Sequence, residues 1–483
     1  MTIQLLGMSL VLVTLQDFKD PAPPKVEELE RVEAPTPAAF DELTTHSAPA
    51  ALAENAVTED WPSFLGASRE GRSNEAPLLL EWDERPKLLW EMTRGQGYAS
   101  PVVVNGKLVF THRQGGQVHV DCLEAESGKR YWRRTFECDY RGRYISNSGP
   151  RATPEISDGY VYVHGVDGWL RCLELSTGRT LWQRDTNTEF KVGDDFFGVV
   201  ASPIVVGDLL IQNVGAPGGP SVVAFDKRTG KAVWGAGEEW GPSCASPVLA
   251  DVHGKQRLFV VAGGESRPPT GGLMVIDPAN GKVDFSYAFR SRTFESVNGA
   301  SPIVNDNRVF LSASYGTGSC VLELDEKGGF EQRWKNRHFG LQFQNPVFEQ
   351  GLVFAVDGKS DRAGAVLCID PESGEELLRE DLDWEETALY KGKERELSFS
   401  VGEGSLLALP DGKMLLLGDN GHLLSLSVSR EGIEVIDRAW LFGANESWTP
   451  PVISRGLLFV CQNNRERFGD LPARLLCFDL RGK

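Results

Sequence analysis

Ala99-Ser100-Pro101-Val102-Val103-Val104-Asn105-Gly106-Lys107-Leu108-Val109-Phe110 opens a stretch that continues through Gln117–Leu123 and closes on Ser127-Gly128-Lys129-Arg130-Tyr131-Trp132. Four short runs rich in Val, Leu and aromatic residues are separated by turn residues, the pattern of strands rather than helices. Asn105-Gly106 is a strong hairpin signal because both residues tolerate positive φ, and Gly128 closes a second hairpin in the same way. The stretch therefore predicts four sequential antiparallel strands.

The pattern recurs. A second unit reads Ala152-Thr153-Pro154, Asp158-Gly159, Cys172-Leu173-Glu174-Leu175 and Thr177-Gly178-Arg179-Thr180-Leu181-Trp182; a third carries Ala201-Ser202-Pro203 and Thr229-Gly230-Lys231-Ala232-Val233-Trp234. The turn glycines Gly128, Gly178, Gly230, Gly281, Gly328, Gly374, Gly432 and Gly482 are spaced by 50, 52, 51, 47, 46, 58 and 50 residues. A period near this length marks a propeller or solenoid, in which each unit buries its faces only by stacking on its neighbours. Later units drift: Phe285 and Leu378 stand where Trp is expected, and Trp334 and Trp440 follow small insertions. The eighth unit lacks a fourth strand after Leu475–Asp479, while a spare one, Lys87-Leu88-Leu89-Trp90, precedes the first unit. The expected fold is thus all-β, an eight-bladed propeller of four-stranded antiparallel blades, the last blade closed by the N-terminal strand and leaving no long exposed sheet edge.

The signature Ala-Ser/Thr-Pro, then Gly, then Cys/Ala-x-Asp/Glu, then Ser/Thr-Gly-Lys/Arg-x-x-Trp, resembles the repeat of quinoprotein-type (pyrroloquinoline-quinone-like) propellers. It runs from Trp61-Pro62-Ser63-Phe64-Leu65-Gly66 to the end of the sequence. That family includes quinoprotein alcohol dehydrogenases and the propeller subunit of the outer-membrane β-barrel assembly machinery, so the resemblance implies a fold more than a function. It implies that Trp132, Trp182, Trp234 and Trp334 pin one blade to the next. For a dehydrogenase it implies a quinone held between a Trp and a vicinal disulfide, beside a Ca²⁺ bound by Glu, Asn and Asp. No two of the 8 cysteines adjoin, and Asp194-Asp195 and Asn298 are the only acid and amide groups that could be nominated for calcium. No cofactor is expected; pyrroloquinoline quinone and calcium enter only under an oxidoreductase alternative.

Composition narrows the partners. With 68 acidic and 50 basic residues the net charge is −18, a field that repels phosphate backbones and anionic headgroups, which argues against nucleic acid. The absence of any CxxC pair, and the shared repeat slot of Cys122, Cys172, Cys368 and Cys477, read as buried strand cysteines acting as small hydrophobes. Residues 1–15 contain an apolar run, Leu5–Leu15, too short for a bilayer span of about 20 residues but similar to a signal-peptide core, although no Lys or Arg precedes it. Residues 16–60, with 11 acidic against 3 basic side chains, read as a disordered Pro/Ala/Glu-rich tether, and 61–483 as the propeller.

No nucleophile elbow, phosphate-binding loop or dinucleotide fingerprint is present, and His119, His164 and His422 fall where core or surface histidines are common. Asp167-Gly168, Asp357-Gly358 and Asp419-Asn420-Gly421 read as hairpin turns. If Ala-Ser/Thr-Pro begins each innermost strand, the loops before it converge on the central channel at one face, the funnel. From those loops come the expected ligand residues: Arg151, whose planar fork suits a carboxylate, the rings of Trp240 and Trp448, and the amides of Asn298 and Gln344. No catalytic residue and no metal ligand is assigned. The expected function is a non-catalytic binding or scaffold propeller, exported or envelope-associated (periplasmic or secreted), with a protein or small-ligand partner at the funnel face and no transmembrane helix; the alternative is a divergent quinoprotein-like oxidoreductase.

Overall fold

The structure, a computed structural model, describes residues 42–482 apart from 144–146, 194–196, 239, 265, 295, 360–361 and 391. The signal-like segment 1–15, most of the stretch 16–60, and Asp194 and Asp195 lie outside the described residues.

Eight antiparallel sheets follow one another around a ring, as the period requires. Blade 1 comprises Val102–Val104, Lys107–Gln114, Gln117–Glu124 and Arg130–Glu137, paired in sequence order, and six further blades repeat this order. In blade 8 the strands Val452–Ser454, Leu457–Cys461 and Arg474–Asp479 are completed by Lys87–Thr93, with Trp90 opposite Cys477 and Met92 opposite Leu475. Leu43–Thr45 then pairs with Lys87–Thr93 as a fifth strand, so that ordered structure begins within the stretch 16–60 and not at Trp61.

The repeat residues have visible jobs. Trp132, Trp182, Trp234 and Trp334 donate their indole N–H to Leu175, Lys227, Pro278 and Pro371 carbonyls of the next blade at 2.8, 3.0, 3.1 and 2.8 Å, and Trp90 does the same to Ala125 at 3.0 Å. Each ring lies flat on the next blade's turn glycine: a Cβ on Gly230 would meet the Trp182 ring at 2.6 Å, which is why that turn must be glycine as well as left-handed. Three seams lack the pin. Between blades 4 and 5, Phe285 packs instead against Phe330, tilted by 34° with centroids 4.6 Å apart; nothing approaches Gly432 of blade 7; and Trp440 bonds Asn420 of its own blade.

Near the axis, Ser/Thr-Pro forms a hoop. The Ser100, Thr153, Ser202 and Ser246 amides donate to the side-chain oxygens of Thr153, Ser202, Ser246 and Ser301 at 3.1, 2.9, 3.0 and 3.2 Å, and Ser301 N–H to Asn345 Oδ1 at 2.9 Å. Blades 2 to 6 thus each supply the acceptor that the preceding blade's innermost strand needs, and the following proline, which has no N–H to satisfy, can open the strand at no cost.

Two departures break the repeat. The spacing of 58 residues contains an inserted hairpin, Asp383–Tyr390 paired with Lys393–Ser400, between blades 6 and 7. Asp357-Gly358, expected as a turn, lies inside the strand Leu352–Lys359 at a register shift; Gly358 is there because the Gly402 carbonyl sits where its Cβ would be, at 1.7 Å. Asp167-Gly168 and Asp419-Asn420-Gly421 are turns, with Gly168 at φ 87 and Gly421 at φ 83.

The face opposite the funnel carries the short turns, and the lead-in seals it. Trp61 pairs with Val103 of blade 1, Pro62 accepts from Ile156 of blade 2, Ser73 and Gly71 bond Ala408 of blade 7, and Glu75 accepts the Arg455 and Gly456 amides of blade 8 at 2.5 and 2.6 Å. On the way Arg69 pairs with Glu155 of blade 2 and Arg72 with Glu349 of blade 6. Residues 61–75 therefore cross beneath the channel. Among the described residues no helix is long and apolar enough to cross a membrane.

Candidate functional site at the funnel mouth

The connection from the outer strand of one blade to the inner strand of the next must cross the funnel face, so the residue just before Ala-Ser/Thr-Pro lands at the mouth. Tyr98, Arg151 and Cys244 hold that position in blades 1, 2 and 4. Arg151 feels Tyr98 and Cys244 electrostatically, and Tyr315 of blade 5 feels Cys244 and Glu403 of blade 7, so side chains from five blades face one space.

Arg151 is the central cation of this group and is 9% exposed. Its guanidinium donates to the Gly149 and Asn147 carbonyls at 3.1 and 2.8 Å and lies over the Tyr140 and Phe197 rings, 5.8 and 5.7 Å from their centroids. Burial holds its pKa below the usual range. Among the described residues no carboxylate pairs with it. On the far wall Trp448 stacks on Tyr98 at 5.5 Å and against Phe343 at 4.9 Å, with its indole N–H buried and unpartnered. Tyr98 donates to Glu446 at 2.6 Å, and burial followed by this carboxylate raises the phenol's pKa. Glu446 and Tyr315 have left-handed backbones, φ 58 and 55, a conformation that costs non-glycine residues energy and often persists at functional sites.

The other expected residues divide. Asn298 is buried with Oδ1 unpartnered, while its carbonyl accepts from Ser243 at 2.8 Å. Gln344 is committed to its own blade: Nε2 donates to the Gly358 carbonyl of the second strand and Oε1 accepts from the Gln342 and Phe343 amides of its loop. Trp240 is not brought to the others; at 8% exposure it belongs to the core cluster of Val222, Trp234, Val260 and Met274, because its loop folds inward between blades 3 and 4. Tyr98 and Phe343 were legible by the same rule that gives Arg151, position relative to the repeat, but aromatic residues beside a core strand carry no distinguishing signal.

Beside Arg151 runs a two-lobed cleft. One lobe, open to solvent, is lined by Tyr140, His164, Thr186, Asn213 and Ser243; the second by Phe197, Cys244, Ser296 and Asn298. Gly198, Pro242 and Ser243 line both, so the lobes adjoin. Buried polar atoms of this lining without a partner include His164 Nδ1, Asn213 Oδ1, Ser296 Oγ and Asn298 Oδ1. His164 is neutral, its pKa pushed down to about 4 by burial, and its Nε2 meets Thr186 Oγ1 at 3.0 Å. Across the mouth Asp419 is pushed up to about 6 by burial, while its bonds to the Glu403 amide and Asn420 oppose the shift.

The sequence has no adjacent cysteines from which the vicinal disulfide of the quinone arrangement could form. All eight cysteines are free and none adjoins another, and among the described residues no three His, Cys, Asp or Glu side chains converge as a metal requires. His422 of blade 7 packs among Trp384 and Phe399 of the inserted hairpin and Trp440 of its own blade, and burial pushes its pKa down to about 3.

Similarity to known proteins agrees with this architecture. The chain is 31% identical over 180 residues to a quinohemoprotein alcohol dehydrogenase of Pseudomonas putida, covering 37% of this chain and 24% of that protein. It is 25% identical over 236 residues to the outer membrane protein assembly factor BamB of Kangiella koreensis, covering 48% of this chain and 50% of that one. The chain thus spans a quarter to a half of the length of these relatives. A europium-containing methanol dehydrogenase superposes with a TM-score of 0.63 at 11% identity, over 87% of this chain and 98% of that one, a likeness of fold. The family model described as outer membrane protein assembly factor BamB matches residues 82–236 and 195–380, and with most of the ring covered by it the chain belongs to that family of pyrroloquinoline-quinone-like repeat propellers.

Proposed function

We propose that the chain is a non-catalytic binding propeller, exported or envelope-associated, whose funnel mouth takes a carboxylate presented by a small molecule or a partner protein. One observation carries this reading: Arg151 is nine-tenths buried with carbonyls, phenols and a thiol around it and no carboxylate among the described residues. A buried charge without a counter-charge costs stability, and the planar fork of a guanidinium is matched by a carboxylate. The sealed opposite face leaves the funnel as the way in. Calorimetric titration with a panel of carboxylates tests it: the wild type binds at least one, and Arg151→Gln loses that binding while keeping its fold. Equal affinity in the variant overturns the reading.

A second reading, a divergent quinoprotein-like oxidoreductase, is supported by the several relatives whose names are quinohemoprotein alcohol dehydrogenases. Titration with pyrroloquinoline quinone and Ca²⁺, followed by dye-linked alcohol oxidation, separates the two: stoichiometric quinone binding with turnover favours the enzyme.

A further inference from the structure

We infer that the carboxylate held at Arg151 belongs to a polyhydroxylated acid of the sugar-acid class, an inference that rests on the anion-binding reading above. Around one cation the cleft gathers acceptors. Asn213 uses its amide N–H on the Val261 carbonyl at 3.4 Å, which leaves Oδ1 as an acceptor without a donor; Asn298 Oδ1 is in the same state, and Ser296 Oγ has no partner of either kind. All three residues are more than nine-tenths buried. Buried acceptors left unmatched cost free energy, and hydroxyl groups are the donors that suit them without adding charge.

Shape agrees with the chemistry. Each lobe has room for water-sized groups, and Tyr140 lines the first and Phe197 the second, the two rings that also flank Arg151. A carbon skeleton with its carboxylate on Arg151 would turn its hydroxyls toward these two lobes, which share Gly198, Pro242 and Ser243. A plain carboxylate satisfies the cation alone, and an uncharged sugar the acceptors alone.

Calorimetry on the full chain with glucuronate, acetate and glucose tests this. Glucuronate is expected to bind at least about tenfold more tightly than either acetate or glucose, because a site that hydrogen-bonds hydroxyls rejects analogues lacking them. Ser296→Ala and Asn298→Ala, each with an unchanged melting temperature, should erase that preference while leaving acetate binding as it was. Glucuronate no tighter than acetate, or a preference untouched by both variants, overturns the inference and leaves Arg151 as a general anion site; failure of every carboxylate to bind overturns the anion reading with it.

Discussion

Two arginines on opposite faces of the ring are buried to a similar degree and live in opposite electrostatic states. Arg69, on the sealed face, pairs with the buried Glu155 of blade 2 and also donates to the Pro203 carbonyl of blade 3 at 3.0 Å. Arg151, at the funnel mouth, has backbone carbonyls and aromatic faces but no carboxylate among the described residues. The first joins the lead-in to two blades, and its charge is matched within the chain. The second holds an unmatched charge where solvent and ligands can come. A fold that neutralises a buried cation on one face and leaves one bare on the other separates a structural end from a binding end.

Breaking the matched pair has the largest expected effect. Arg69→Ala leaves Glu155 buried without its cation, and should lower unfolding free energy by about 3–5 kcal/mol in chemical denaturation; replacing both partners with apolar residues should recover most of it. A seam control lies between the faces. Gly230→Ala forces a Cβ into the Trp182 ring at a residue with φ 70, and a loss of about 2–4 kcal/mol is expected. If instead this variant melts like the wild type, the tryptophan pins are not what holds the blades together.

Smaller effects sharpen the contrast at the funnel. Burial lifts Asp419 from 3.8 to about 6, so the native state holds this proton more tightly than the unfolded chain does. Its stabilising contribution is therefore complete below about pH 4 and lost as pH rises through about 6, a step of about 1–2 kcal/mol after allowing for its partial exposure. Asp419→Asn should flatten that part of the stability profile and leave the rest unchanged; an identical profile would remove the carboxylate from consideration. Arg151→Gln comes last. Removing a buried charge that has no counter-charge should leave the protein as stable as the wild type or more so, while carboxylate binding disappears. A loss as large as that of Arg69→Ala would make Arg151 a structural residue after all.

Much of the molecule was legible in one dimension because the propeller is nearly one-dimensional: each blade sees its neighbours, so the same local problem is solved eight times and leaves the same residues behind. Asn-Gly, Ser/Thr-Gly, Ser/Thr-Pro and the tryptophans announce turns, hoop and pins, and the spare strand at Lys87–Trp90 announces closure. The position of Arg151 followed from the same register. What the repeat could not disclose lies where the repeat stops. Leu43–Thr45 adds a strand to blade 8 from a stretch whose composition reads as tether, since a short edge strand is stabilised by the sheet it joins and not by its own residues. Asp357-Gly358 has the composition of a turn and the place of a strand because Gly402 approaches it from another blade. Trp240 and Trp448 look alike in sequence, and only packing sends one into the core and the other to the mouth. Local sequence determined each blade and its joints; whether a polar or aromatic side chain ends up matched, buried or open to a ligand was decided by residues distant in the chain, because pairing and burial are properties of the assembled ring.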